Sequence, residues 1–290
     1  MSLIEAIIMG IVQGIAEFLP VSSSGHLAIF KHILNIETDT GMLFDIMLHF
    51  GTLVAIFIAF WSDIKELIIG GFGILGRVLY NVYVALKKVF SKDTNFKKVL
   101  KTDYDRFVML IIVSTIPTGI AGVLFSDLFE KMGESLLITG ICLIITAILL
   151  YIADHCKVGN ITMKDANYKK AGLIGTAQAL AISPGISRSG TTITACLLCG
   201  FTKEFAVKYS FIMSIPAVLG AVVLDIPDLF TSDIEASLIK NYVVGTVIAA
   251  IIGYICIVTM LKIVKKKKFT GFTIYCSIIG LIAIVASFVL

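Results

Sequence analysis

The chain of 290 residues is 58% hydrophobic with a mean hydropathy of +0.98, which excludes a soluble globular domain. Its net charge of +4 is no nucleic-acid signature, because the basic residues gather in short connections between apolar runs. Five prolines and no long Ser/Gly linker point to a single integral membrane domain over residues 1–290.

No basic residues precede the first apolar run, and Glu5 sits where one would be needed, so no cleaved signal peptide is expected. Residues 3–18 are apolar, Pro20 to Gly25 break the run, and residues 25–34 continue it. Neither piece reaches the ~20 residues of a bilayer crossing, so 3–34 reads as a re-entrant helix–break–helix hairpin. Met42 to Phe60 is a first span. A charged connection over 62–106 follows, whose part from Leu67 to Phe90 reads as an amphipathic helix in the membrane interface. Phe107 to Phe125, with Pro117 as a kink, and Ser135 to Ala153 are the second and third spans. The turn between them carries Asp127, Glu130 and Glu134. After a lysine-rich loop, Ala171–Ile182 and Gly190–Gly200 form a second hairpin over 171–200. Phe205 to Leu224, Tyr242 to Leu261 and Phe272 to Leu290 complete six spans, and Asp225, Asp228, Asp233 and Glu235 make the loop 225–240 acidic.

Charge sidedness tests this layout. The basic connections 62–106, 154–170 and 262–268 belong in the cytoplasm, and the acidic turns 126–134 and 225–240 outside. Six spans satisfy all five assignments, and they make the two hairpins enter from opposite faces. The expected fold is therefore an all-α polytopic membrane protein with an inverted-topology repeat, repeat one over 1–154 and repeat two over 170–290. The hairpins also align without a gap at an offset of 165 residues (175 − 10): Gly10, Gln13, Ala16, Ser22, Ser24 and Gly25 all meet an identical residue. Six matches in a window of 17 exceed the roughly one expected from composition.

The unusual chemistry lies in the two breaks. Glu17 and Arg188 are ionisable residues at membrane depth, where each needs a partner or a wet cavity. If the breaks meet, the two share one site; the plainer reading is a structural ion pair. Gln13 lies one helical turn before Glu17, and this oxygen pair suits a hard cation, although Gln13 serves equally as interhelical glue. Ser22-Ser23-Ser24-Gly25 and Ser187-Arg188-Ser189-Gly190 each precede a helix, with more hydroxyls than one N-cap uses. Hydroxyls, free backbone N–H groups and a guanidinium at a helix start favour a phosphate-bearing ligand. His26 follows the first serine run as a general acid or a covalent nucleophile. His49, four residues after Asp45, is expected to stand back from the chemistry, and His32 and His155 at the interface. Cys196-x-x-Cys199 sits in an apolar helix with no second pair and reads as packing rather than as a zinc or redox site.

Gln13-x-x-x-Glu17-Phe18-Leu19-Pro20-Val21-Ser22-Ser23-Ser24-Gly25-His26 resembles the first signature of the bacterial undecaprenyl-diphosphate phosphatases, the bacitracin-resistance family. Pro184-Gly185-Ile186-Ser187-Arg188-Ser189-Gly190-Thr191 resembles the second, and length, span order and the segment Ser210 to Pro216 agree along the whole chain. The resemblance implies hydrolysis of a C55 isoprenyl diphosphate to the monophosphate and inorganic phosphate, assisted by Mg²⁺ or Ca²⁺, in the bacterial cell membrane with the site facing outward. It implies catalytic roles for Glu17, Ser23, His26 and Arg188, and substrate contacts from Gln13, Ser22, Ser24, Gly185, Ser187, Ser189 and Thr191. Glu17, with Gln13, is the expected metal anchor. Some family members carry Glu at the position of Gln13. Ser23, His26 or water remain as nucleophile; the favoured pairing is Ser23 as nucleophile with His26 as its acid/base partner. The other class open to an inverted repeat is a transporter returning the lipid phosphate across the membrane. Membrane lipids are the surrounding partners, and small-residue faces permit a homodimer.

Overall fold

The computed structural model describes residues 1–33, 41–88, 95–133, 135–231, 236–266 and 268–289. Twelve helices form among them: α1 (Leu3–Phe18), α2 (Ser23–Ile33), α3 (Gly41–Ala59), α4 (Trp61–Lys87), α5 (Asp103–Leu124), α6 (Ser126–Gly133), α7 (Leu136–His155), α8 (Tyr168–Leu180), α9 (Arg188–Leu198), α10 (Lys203–Thr231), α11 (Ala236–Lys266) and α12 (Thr270–Ala286). No β-strand is present among the described residues beyond an isolated bridge between Ile161 and Phe201. Glu134, Asp233 and Glu235, and the side chains of His32, Asp225 and Asp228, fall outside the described residues.

The chain is a polytopic helical membrane protein. Helices α4, α5, α7, α10 and α11 are long and apolar enough to cross a bilayer, while α3 and α12 are shorter apolar helices. α4 differs from expectation. In place of a charged connection with an embedded amphipathic piece, it runs unbroken for 27 residues. Its charges are few enough, and Ile69, Phe72, Leu79 and Tyr83 apolar and exposed enough, that composition alone gives it span character. Its far end is tied down by Arg77, which donates to Asp105 Oδ2 at 2.7 Å and to the Val99 carbonyl at 2.6 Å.

Helix starts follow local chemistry. Ser2 and Glu5 form a capping box on α1, Thr102 and Asp105 another on α5, and Asn167 caps α8. α12 starts on a borrowed cap: Asp154 of α7 accepts from the Phe269 N–H at 2.6 Å and the Thr270 hydroxyl at 2.8 Å.

The two hairpins pack by one rule. α1 lies along α11, and α8 lies along α5. A Cβ at Gly10 would fall 2.5 Å from the Gly245 carbonyl oxygen, and one at Gly175, its equivalent 165 residues on, 2.2 Å from that of Ser114. Backbones approach this closely only through glycine, which is how helices associate where no hydrophobic force separates lipid from side chain. α7 and α12 meet reciprocally, with a Cβ at Gly140 or Gly280 lying 2.9 Å from the other's carbonyl oxygen. Behind the hairpins, Phe18 and Phe60 pack on Phe211, and Phe107, Phe201 and Phe205 surround Tyr209. This aromatic core fixes where the breaks can sit.

Candidate active site

The two breaks touch each other. A Cβ on Gly25 would lie 3.2 Å from Gly185 Cα, and one on Gly190 would lie 3.2 Å from Pro20 Cβ. Gly25 and Gly190 are equivalent at the offset of 165, and so are Pro20 and Gly185, so the contact is made twice, once in each sense. The serines repeat the pattern. Ser22 Oγ accepts from the Gly25 N–H at 3.3 Å and lies 3.4 Å from Ser24 Oγ; Ser187 Oγ accepts from the Gly190 N–H at 3.1 Å and lies 3.3 Å from Ser189 Oγ. Ser22 takes a left-handed φ of 72° and Gly185 one of 90°, the latter against α7 where a Cβ would meet the Thr139 carbonyl at 2.6 Å. The breaks are also bonded across: the Gly185 N–H donates to Ser24 Oγ at 3.3 Å.

Glu17 is the hub, 6% exposed at the end of α1. Its Oε2 accepts from Ser23 Oγ at 2.6 Å and from Gln13 Nε2 at 3.1 Å, and its Oε1 accepts from Arg188 Nη2. His49 Nε2 of α3 stands 3.9 Å from Oε2. Two neutral donors and a guanidinium are what a buried carboxylate needs to remain charged. The guanidinium is only half served: Arg188 Nη1 is buried with no partner. Gln13 Oε1, one turn behind, is likewise buried and unpartnered.

Glu17, Ser23, Ser24, Ser187 and Arg188 line one cavity of about 840 Å³, whose polar end they form together with Asp45, His49 and Gln178. The rest of the lining, from α5, α10 and the second break, is mostly apolar, with Thr115, Thr118 and Ser126 among it. The arrangement is an anion pocket with a carboxylate-bound serine on its wall, opening onto a greasy arm. It suits transfer of a phosphoryl group from a substrate with a long apolar tail.

Of the residues expected from sequence, Glu17, Ser23, Ser24, Ser187 and Arg188 come together as a cavity wall, with Gln13 bonded directly behind. Ser22, Gly185 and Ser189 build the breaks that carry them. Thr191 is buried with a free hydroxyl and does not line the cavity. His26 is placed differently from expectation. Its Nδ1 bonds the Ser22 carbonyl at 2.7 Å, which makes that nitrogen the donor, and its Nε2 lies 2.7 Å from the Tyr275 hydroxyl, from which it then accepts. Both ring nitrogens are used, neither on Ser23. His49 is the histidine on the cavity, closer to the chemistry than its position in a span suggested. With Asp45 and Gln178 it is what sequence reasoning undervalued; the available signal was Asp45 and His49 on one face of an apolar helix, and the match of Gln178 to Gln13. His155, its ring tilted against that of Tyr151 and exposed, does not line the cavity.

A family model described as "Bacitracin resistance protein BacA" matches residues 6–282. The chain is similar to the undecaprenyl-diphosphatase of Methanosphaera stadtmanae, 44% identical over 291 residues and covering the whole of both chains. It is similar also to the undecaprenyl-diphosphatases of Halothermothrix orenii, 37% identical over 285 residues and 98% of each chain, and of Alkaliphilus metalliredigens, 39% identical over 287 residues and 99% of each. The transporter alternative gains no support from these relatives, each of which bears the name of a diphosphatase.

Proposed function

The chain belongs to the BacA family of bacitracin-resistance proteins, and on that premise we propose that it hydrolyses undecaprenyl diphosphate to undecaprenyl phosphate and inorganic phosphate. The reaction returns a lipid carrier to cell-wall synthesis and withdraws the diphosphate that bacitracin binds. The observation that carries this reading is the guanidinium of Arg188: one nitrogen is held by Glu17 and the other is buried, unpartnered, beside a cavity with an apolar arm. A phosphate oxygen completes it.

In the mechanism the terminal phosphate lies against Arg188 Nη1 and the N-terminus of α9. Glu17 takes the proton of Ser23 as Ser23 Oγ attacks the terminal phosphorus. The bond from that phosphorus to the bridging oxygen breaks, and its electron pair leaves with undecaprenyl phosphate. Water then attacks the phosphoserine, Ser23 regains a proton, and inorganic phosphate departs. Arg188 balances the charge spread over the phosphoryl oxygens throughout. The hydrogen bond of 2.6 Å from Ser23 to Glu17 supports Ser23 as nucleophile and Glu17 as its base, while the two filled nitrogens of His26 favour a role in holding the break.

Glu17 and Gln13 would hold a divalent cation, Mg²⁺ or Ca²⁺, and the unpartnered Gln13 Oε1 is the oxygen that fits one. Among the described residues no group of three or more His, Cys, Asp and Glu forms, so Glu17 and Gln13 would be the side chains to hold it. Bound there, it supplies charge neutralisation to the diphosphate.

The topology we propose has six spans (α3, α5, α7, α10, α11 and α12), with α1–α2 and α8–α9 as re-entrant pairs entering from opposite faces and the site opening outward from the cell membrane. The paired contacts at an offset of 165 residues support the repeat. α4 then lies in the cytoplasmic interface beside its basic neighbours. The test is phosphate release from undecaprenyl diphosphate by detergent-purified protein, with and without EDTA, beside Arg188→Ala. Metal-dependent release lost in the variant is expected; no release from folded wild-type protein would overturn the reading.

A further inference from the structure

The two breaks turn at different places. The first takes its left-handed residue at Ser22, with a φ of 72°. Ser187, its equivalent 165 residues on, has an ordinary φ of −71°, and the second break turns on Gly185 instead. Glycine holds a positive φ without strain; serine keeps one only where its surroundings enforce it. The second break is pinned directly to α7 by Thr146, whose Oγ1 donates to the Gly185 carbonyl at 3.2 Å and accepts from the Ser187 N–H at 2.9 Å.

Ser22 is held from farther off. Its carbonyl accepts from the His26 N–H at 3.2 Å and again from His26 Nδ1 at 2.7 Å, so one residue grips it twice. His26 Nε2 accepts in turn from the Tyr275 hydroxyl of α12 at 2.7 Å, the two ring planes lying 12° apart. The next residue of α12 reaches the same break, where the Cys276 thiol donates to the Pro20 carbonyl at 3.7 Å. Thr191 stands in the second copy where His26 stands in the first, and its hydroxyl has no partner. The line from Tyr275 to Ser22 thus belongs to the first break alone, and it ends one residue before Ser23.

We propose that Tyr275 is a positioning residue for the nucleophile: its hydroxyl fixes the His26 tautomer that grips Ser22, and so keeps the left-handed backbone that aims Ser23 Oγ at Glu17. The proposal rests on the diphosphatase reading, with Ser23 as nucleophile. Which imidazole nitrogen carries the proton is set by the bond that the other makes, so donation by Tyr275 to Nε2 leaves Nδ1 to donate to Ser22. Rotation of the Ser22 backbone would draw Ser23 Oγ from its 2.6 Å bond to Glu17, and misplacing a reacting group by about 1 Å can cost ~10²-fold in rate. Tyr275 is itself 41% exposed and does not line the cavity, so removing its hydroxyl leaves the cavity wall unchanged.

The experiment measures kcat and KM for undecaprenyl diphosphate, per folded detergent-purified protein, in wild type, Tyr275→Phe, Ser22→Gly and the double variant. Glycine at 22 takes the left-handed φ unaided, so the break no longer depends on the grip. Tyr275→Phe is expected to lower kcat about fivefold at unchanged KM when serine is at 22, and by less than about twofold when glycine is there. An equal loss in both backgrounds would make Tyr275 a general prop of the fold. A rise in KM alone would make it a substrate contact, and an unchanged kcat would make the hydroxyl idle; each of the three overturns the proposal. If Tyr275→Phe fails to fold, O-methyltyrosine at 275 keeps the ring and its oxygen, has no proton to donate, and is expected to give the same split. If wild type releases no phosphate, the diphosphatase reading fails and the proposal with it. If Ser23→Ala is fully active, the diphosphatase reading stands and the proposal alone falls.

Discussion

Ser23 and Arg188 occupy equivalent positions in the two hairpins (188 − 23 = 165), and both donate to the one carboxylate of Glu17, on opposite oxygens. Two helix starts matched at that offset thus reach a single acid, and the two breaks differ in what they bring to it. Glu17 is matched by Ile182, which also lines the cavity, and His26 is matched by Thr191. A symmetric pair of breaks would offer either two carboxylates or none.

Arg188→Lys keeps the charge and loses the fork. One nitrogen cannot both hold Glu17 and meet a phosphate oxygen, so phosphate release should fall by at least ~10²-fold, with thermal stability close to wild type. Turnover near wild type would mean that a point charge suffices.

Glu17→Gln leaves a cation at membrane depth without its anion. Thermal unfolding in detergent should report a loss of about 3 kcal/mol, much of it regained in Glu17→Gln/Arg188→Met, with both proteins inactive. An unchanged melting temperature in the single variant would show that water already screens the pair.

Ser23→Ala should lower turnover by at least ~10²-fold without unfolding the protein. Tyr275→Phe removes the donor on His26 Nε2 and should cost about 1 kcal/mol of stability, with a smaller effect on turnover. An active Ser23→Ala beside a dead His26→Ala would pass the nucleophile's role to His26.

EDTA should abolish phosphate release and Mg²⁺ or Ca²⁺ restore it. Gln13→Glu gives the cation a second carboxylate and should lower the concentration needed for half-restoration, whereas Gln13→Ala should raise it. Identical titrations in all three proteins would remove Gln13 from the metal site.

Gly175→Ala places a methyl 2.2 Å from the Ser114 carbonyl oxygen and should destabilise the protein by about 1–3 kcal/mol or prevent its accumulation. Gly172→Ala, one turn away with nothing within 4 Å, should be neutral or mildly stabilising in the same melt.

The helices and the hairpins were legible because their signals are local: apolar run length, a Pro/Gly/Ser break, and a serine three residues before a backbone N–H that it caps. The meeting of Glu17 with Arg188 was legible from cost alone, since neither tolerates burial unpaired. His49, Asp45 and Gln178 were harder to weigh, because membership of the cavity depends on how α3 and α8 are rotated about their axes, which packing decides. α4 was read too short, as an amphipathic piece from Leu67 inside a charged connection, because its lysines and acids were counted over the whole of 62–106, while within the helix from Trp61 apolar residues predominate.

Glu17 and Arg188 lie 171 residues apart along the chain and bond directly in the folded protein. A ribosome delivering this chain into a bilayer therefore exposes the acid long before it supplies the base. Until Arg188 emerges, the first hairpin holds a carboxylate with only neutral donors and His49 near it, so its resting place must stay wet. The first half cannot settle at its final depth alone: the partner that neutralises Glu17 and the helix α11 along which α1 packs both arrive with the second half of the chain.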